Sequence, residues 1–181
     1  NQWFNKYNAK LQSIKDKQGY GKTLTMKQKY IWNKRNNRVN DYLSKSARII
    51  INYCLENNIG TLVCGYNNDF QRNSDIGKKN NQNFVNIPFS KLQSKLEYLC
   101  EFYGIKYVDQ EESYTSKASF FDMNIIPEYK EKDNIEYSFS GKRVRRGMYK
   151  TLKGYILNAD VNGALNILKK SKVVDLEVLY H

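Results

Sequence analysis

Apolar side chains recur every three or four residues along the middle of the chain, which is the period of a helix buried on one side. Residues 24–57 show this pattern and are predicted to form one long helix. Its predicted buried stripe consists of Val39, Leu43, Ala47, Ile50 and Cys54. A second helix is predicted from about Pro88 to Tyr103, because proline suits a first helical turn and Gly104 suits the position after the last.

Two short apolar runs without a helical period flank the second helix. Thr61–Cys64 is predicted to be a strand buried on both faces, and Ile105–Val108 a second strand. Strand, helix and strand over this distance indicate a right-handed parallel crossover. Residues 67–86 are polar with little periodicity and are predicted to form a long loop. The predicted fold class is therefore α/β, with a mixed or parallel sheet and long helices, in a single domain over residues 1–181.

A β-hairpin is predicted later in the chain, within the less regular residues 119–158. Tyr137 and Phe139 alternate with polar residues, and Ser140-Gly141 has the composition of a turn. The arm after that turn is strongly basic and contains Lys142, Arg143, Arg145 and Arg146. Two strands and a hairpin make a thin sheet for so much helix. Because the chain also begins with Asn, we expect it to be part of a longer protein with further strands upstream.

The charge of the chain favours a polyanionic partner. Lys and Arg number 30 against 18 Asp and Glu, a formal net charge of +12. Such an excess favours nucleic acid, because phosphate neutralisation releases counter-ions; a merely solubilising charge is the alternative. No apolar run approaches the roughly 20 residues that span a bilayer, and no signal peptide is visible, so no membrane partner is expected.

The chain has few residues for soft-metal or histidine chemistry. Its three cysteines are scattered without a C-x-x-C pair and are expected to be small core residues in a reducing compartment. The single histidine is His181, at the end of the sequence, which excludes internal histidine acid–base chemistry and a histidine-ligated zinc site. Any catalysis must therefore be carried by carboxylates.

The most informative stretch is Asn158–Ile167, which reads Asn-Ala-Asp-Val-Asn-Gly-Ala-Leu-Asn-Ile. It puts Asp160 at the start of a short helix predicted over residues 160–170. The predicted apolar face of that helix is Val161, Ala164, Leu165 and Leu168. An aspartate on a rigid helix start can hold a divalent cation that drives phosphodiester cleavage. The alternative is an ordinary N-cap, whose side-chain oxygen accepts the free N–H groups of the first turn.

That stretch, together with Glu112–Lys117 (Glu-Ser-Tyr-Thr-Ser-Lys), resembles the TnpB (OrfB) proteins of bacterial insertion sequences. The resemblance implies the later part of a RuvC-like nuclease domain, which has an RNase H-like fold. It implies a bacterial cytoplasmic protein of a mobile element that uses a guide RNA to find DNA and cuts it with two carboxylate-bound magnesium ions. In this family the last catalytic Asp corresponds to Asp160.

The chain departs from the family at two catalytic positions. The family's first catalytic Asp precedes the long helix, and no matching segment is present. The middle catalytic Glu is expected at about Gly65, which has no ligating side chain. Glu111 and Glu112, after the next strand, can replace it. Successive side chains of a strand point to opposite faces of the sheet, so at most one of the two glutamates is expected to face Asp160. Glu112 is preferred, with solvated charges as the alternative for both.

A third departure concerns zinc. The family often carries a zinc ribbon built from two C-x-x-C pairs, whereas this chain has Ser119 and Asp122 where the first pair would lie. No second pair appears before residue 158. A ribbon without thiolates cannot hold structural zinc. Residues 119–158 are therefore expected to form a degenerate, zinc-free equivalent of the ribbon, held by packing alone.

The predicted function is that of a transposon-encoded, RNA-guided, metal-dependent DNA endonuclease, with Glu112 or Glu111 and Asp160 as metal ligands. The basic arm is predicted to contact phosphate without reading bases. We expect the isolated chain to cleave DNA poorly, because one ligand is missing. A nuclease-dead, RNA-guided DNA-binding module is the main alternative, and a basic α/β domain with chance motif matches is a third. The oligomeric state is left open.

Overall fold

The computed structural model describes residues 2–19, 21, 23–66, 88–128 and 137–176. The predicted loop at residues 67–86 and His181 lie outside the described residues. The chain divides into two compact units. The first consists of Asn1–Gly60 and Asp69–Ile105, and the second of Thr61–Asn68 and Lys106–His181.

The first unit contains three described helices, α1 (Gln2–Lys17), α2 (Met26–Glu56) and α3 (Phe89–Tyr103). The sequence did not predict α1, whose Phe4 is buried and packs edge-on against Trp32 at 4.8 Å between ring centroids. The predicted long helix is confirmed. It begins at a capping box in which Thr25 and Gln28 each accept a hydrogen bond from the backbone N–H of the other.

The predicted buried stripe of α2 needs one correction. Leu43, Ala47 and Cys54 are buried as expected, but the fully buried isoleucine is Ile51 and not Ile50. At 3.6 residues per turn, Ile50 and Ile51 lie on opposite sides of Ala47, about 60° and 40° from it, so the helical period alone does not distinguish them. The helix α3 is confirmed as well, and it ends at Gly104, whose φ of 69° is left-handed.

The second unit contains five described strands and one helix. These are β1 (Thr61–Tyr66), β2 (Lys106–Glu111), β3 (Lys142–Arg145), β4 (Met148–Lys150), β5 (Ile156–Asn158) and α4 (Ala159–Ser171). The predicted parallel pairing of β1 with β2 is confirmed, in a register that runs from Thr61 opposite Lys106 to Tyr66 opposite Glu111. No residue of β1 is fully buried, so burial on both faces was wrong. Within the described residues β1 pairs with β2 alone, and neither is a central strand.

The predicted basic hairpin exists, but its turn was misplaced. The basic strand β3 pairs with β4, which follows it, and β4 pairs with β5, both antiparallel. The turn therefore lies at Arg146-Gly147, where Gly147 has a φ of 75°. Gly141 serves a different purpose: a Cβ added there would lie 2.5 Å from a ring carbon of Tyr149, which is fully buried. Among the described residues, no helix is both long and apolar enough to cross a membrane.

Candidate metal-binding and nucleic-acid-binding site

The carboxylate of Asp160 is available because a neighbouring residue caps the helix. Asn158 is the N-cap of α4, and its side-chain oxygen accepts from the backbone N–H groups of Asp160 at 2.8 Å and Val161 at 3.2 Å. The alternative that Asp160 itself is the cap is therefore wrong. Its side chain is 88% exposed, at the positive end of the helix dipole. A cation or a solvated ligand can reach it.

The fully buried residues of α4 are Ala159 and two amides, and of the predicted apolar face only Leu165 and Leu168 are half-buried. Val161 and Ala164 are exposed, whereas Asn162 and Asn166 are fully buried. The correction has a physical reason: each amide satisfies buried backbone groups of a neighbouring segment, which an apolar side chain cannot do.

Those backbone groups belong to the second string that carried the resemblance, and to the residues just after it. Asn162 accepts from the N–H of Phe120 and donates to the carbonyl of Ala118 at 2.8 Å. Asn166 donates to the carbonyls of Thr115 at 2.9 Å and Ala118 at 2.8 Å. The two strings are thus hydrogen-bonded to each other. The asparagines four residues apart were the available signal, because that spacing puts both on one helix face.

Glu112 directs its carboxylate to Gly65. It follows β2 directly, and its backbone N–H donates to the carbonyl of Tyr66 at 3.0 Å, which extends the parallel pairing by one residue. A Cβ added at Gly65 would lie 2.7 Å from Oε2 of Glu112 and 2.8 Å from the δ-methyl of Ile167. The Glu112 carboxylate therefore occupies the space that any side chain of residue 65 would need.

Glu111 and Glu112 have different surroundings. Glu111 accepts hydrogen bonds from the ammonium of Lys170, at the end of α4, and from the backbone N–H of Ser113. Burial alone would raise the pKa of Glu111, but these hydrogen bonds outweigh burial and lower it. Burial, and secondly the charge of Glu111, raise the pKa of Glu112. Of the two, Glu112 is the carboxylate left without a cationic partner among these contacts.

The two candidate ligands lie on one side of α4 without forming a cluster. Asp160 and Ile167 are nearly two helical turns apart, so they share a side of the helix and differ by about 10 Å along its axis. Ile167 in turn lies beside Gly65 and Glu112. Within the described ranges, no group of three or more His, Cys, Asp or Glu side chains is placed to hold a metal ion.

The basic strand lies beside Asp160. All four residues of β3 are exposed, including the predicted phosphate contacts Lys142, Arg143 and Arg145, and Arg146 in the turn is exposed too. The guanidinium of Arg143 is 3.8 Å from the carboxylate of Asp160, with both side chains more than half exposed. An exposed pair at this distance contributes little stability. It does show that the basic surface and the candidate carboxylate are neighbours.

Comparisons with known proteins add the following findings. The family model OrfB_IS605, described as a probable transposase, matches residues 1–71, and the model for a Cas12f1-like TNB domain matches residues 89–167. The chain is similar in structure to one solved as a "Cryo-EM structure of the Cas12f1-sgRNA-target DNA complex", with a TM-score of 0.60 and 22% identity. That match covers 94% of this chain and 41% of the other, so this chain spans less than half the length of its match. No curated protein matches the sequence. The predicted α/β, RuvC-like fold is confirmed by this similarity.

Proposed function

Because this chain belongs to the TnpB-type (OrfB) family, we propose that it contributes two carboxylate ligands, Glu112 and Asp160, to an RNA-guided, metal-dependent DNA endonuclease. The observation that carries the proposal is the position of the Glu112 carboxylate against Gly65. In this family the middle catalytic Glu is expected at about that position. Glu112 brings a carboxylate to nearly the same place from the neighbouring strand.

The donor chemistry fits magnesium. Carboxylate oxygens are the hard ligands that magnesium prefers, and Asp160 is exposed enough to join a partly hydrated ion. Two such ions, when bound, would neutralise the charge that develops on the attacking and leaving oxygens of a phosphodiester. Two carboxylates do not complete such a site, so at least one further ligand is required. Asp160 and Glu112 would each offer a carboxylate to such a site from positions about 10 Å apart along α4, and Asn158 would keep Asp160 free by capping the helix in its place.

The basic strand supports nucleic acid as the partner. The similar Cas12f1 structure was solved in complex with an sgRNA and target DNA, and we propose a guide RNA and DNA as partners of this chain. Lys142, Arg143, Arg145 and Arg146 would contact phosphate, and Arg143 would do so next to Asp160. The logarithm of the binding constant falls linearly with the logarithm of the salt concentration. Each lost phosphate contact should make that slope less steep by roughly 0.7–0.9.

Cleavage of a plasmid by the protein with its guide RNA and magnesium tests the ligand assignment. Glu112→Gln should lower cleavage at least about 100-fold, since losing even an outer-shell partner of a metal costs 10–100-fold. The matched control is Glu111→Gln, which removes the adjacent carboxylate. If Glu111→Gln abolishes cleavage and Glu112→Gln does not, the assignment is wrong. The double variant Gly65→Glu with Glu112→Ala moves the carboxylate back to β1 and should recover part of the activity.

Guided DNA binding without cleavage is the second candidate function. It is favoured by the absence of a three-residue metal cluster among the described residues. The plasmid cleavage assay distinguishes the two candidates. A binding module binds its target fully but shows no magnesium-dependent cutting, even when both Glu111 and Glu112 are intact. Cutting that depends on Asp160 would exclude the second candidate.

A further inference from the structure

Residues 119–158, which are expected to take the place of the family's zinc ribbon, have no suitable ligands for zinc. Structural zinc sites use four Cys or His side chains, and none of the three cysteines lies within residues 119–158. Ser119 and Asp122 stand where the first C-x-x-C pair is expected. The Oδ2 atom of Asp122 already accepts hydrogen bonds from the hydroxyl of Ser140 at 2.9 Å and the backbone N–H of Leu152 at 2.8 Å. The residues present therefore do not fit zinc.

The same region is held by polar side chains that connect distant parts of the chain. The amide nitrogen of Asn124 donates to the hydroxyl of Ser140 at 2.9 Å, and its oxygen accepts from the backbone N–H of Ser119 at 2.9 Å and of Ser140 at 3.3 Å. Together with Asp122, these contacts join the segment 119–124 to Ser140 and to Leu152. The expectation that packing alone holds this region was wrong.

We propose that Asp122, Asn124 and Ser140 form a polar lock that replaces zinc as the cross-link of this region. Zinc in a ribbon joins two separate turns of the chain through a single centre. Here the centre is one carboxylate and one amide, which bind the residues on either side of the basic hairpin: Ser140 just before β3, and Leu152 just after β4. Charge-assisted hydrogen bonds of this kind are about twice as strong as neutral ones.

The lock has a consequence for nucleic-acid binding. Because it fixes both ends of the hairpin, the exposed basic residues of β3 keep their arrangement without a metal. Binding of DNA through this surface should then be insensitive to zinc chelators and sensitive to the Asp122 carboxylate. This inference depends on the fold and does not require that the protein cleave DNA.

The test uses the whole chain and three measurements: zinc content by elemental analysis, the thermal unfolding midpoint, and affinity for a short DNA duplex. For the unaltered chain we expect less than 0.1 equivalent of zinc (about the background for a non-metalloprotein) and no change of midpoint or affinity with a strong zinc chelator. Asp122→Ala should lower the midpoint by roughly 5 °C and weaken DNA binding at least about threefold. The matched control, Glu128→Gln, removes an equal charge from an exposed site and should leave both unchanged.

Three results would overturn the proposal. The first is about one zinc per chain, whose removal by a chelator lowers the unfolding midpoint. The second is an Asp122→Ala chain with the same midpoint and DNA affinity as Glu128→Gln. The third is a Glu128→Gln control that itself binds DNA more weakly than the unaltered chain. If Asp122→Ala does not fold, the milder Ser140→Ala removes the hydroxyl shared by Asp122 and Asn124 and is expected to give an intermediate drop of midpoint. The chelator measurement on the unaltered chain decides the zinc question in every case.

Discussion

The two buried asparagines of α4 share one acceptor, and this sharing predicts a specific energetic coupling. Asn162 and Asn166 both donate to the carbonyl of Ala118. Asn162→Ala leaves that carbonyl its bond from Asn166, and Asn166→Ala leaves it the bond from Asn162. Only the double variant leaves it without a donor. A double-mutant cycle therefore isolates the cost of stranding one buried carbonyl.

The magnitudes follow from the individual contacts. Asn162→Ala removes the side-chain acceptor of the N–H of Phe120, and Asn166→Ala removes the side-chain donor to the carbonyl of Thr115. Each should lower the free energy of unfolding by about 1–3 kcal/mol, the usual cost of a buried polar group left unpaired. The double variant strands Ala118 as well, so its loss should exceed the sum of the two single losses by about 1–3 kcal/mol.

Urea unfolding followed by far-ultraviolet circular dichroism measures all four corners of the cycle. Asn37→Ala, an exposed asparagine on α2, serves as the control and should change stability by less than about 0.5 kcal/mol. Additive single effects would show that Ala118 is not a shared acceptor. A double variant less destabilised than the sum would mean that the first change already releases the segment from α4, which also contradicts the reasoning.

Two further predictions concern the hairpin region. Gly141→Ala should lower the free energy of unfolding by about 1–3 kcal/mol, because its methyl group would collide with the fully buried ring of Tyr149; an unchanged thermal midpoint would contradict this. For Asp122, burial would raise the pKa, but hydrogen bonds from Leu152 and Ser140 outweigh burial and hold it below the ordinary value of 3.8. The stability it contributes is therefore complete above pH 3.8 and lost as the pH falls through its lower, folded-state pKa. The stability difference from Asp122→Asn should shrink over that acidic range, whereas a difference constant from pH 7 to pH 3 would refute the argument.

Elements with a strong apolar period were predictable from the sequence, and their ends were predictable where a capping residue was present. The helix α3 ends at Gly104 as expected, because only a residue tolerant of positive φ continues the chain there. The helix α1 was missed because its buried surface is small: Phe4 is its one buried aromatic residue, and Lys15 is buried as well. A helix stabilised by so few apolar contacts gives a weak period.

The site was predictable in its residue types and not in its contacts. The strings around Asp160 and Glu112 indicated where carboxylates lie, but apolar periodicity assigned the wrong face of α4, since it gives no weight to amides. A buried asparagine contributes by pairing with backbone groups from elsewhere in the chain, and those partners have no local signal. The hairpin turn was misplaced for a similar reason. The sequence indicated Ser140-Gly141 as the turn, but the positive φ of the turn belongs to Gly147, and glycine at 141 is required by a tertiary contact with Tyr149.

The exchange between Gly65 and Glu112 follows from the geometry of two parallel strands. Gly65 is paired with Gln110, and Glu112 lies two residues further along, so Gln110 and Glu112 point to the same face of the sheet as residue 65. Adjacent strands are about 4.8 Å apart, a gap that a glutamate side chain spans. A carboxylate can therefore be supplied by the neighbouring strand while its oxygens stay in nearly the same place, provided that residue 65 on the first strand has no side chain. Glycine at 65 is the residue that this exchange requires, so the substitution by itself is no argument for a lost activity.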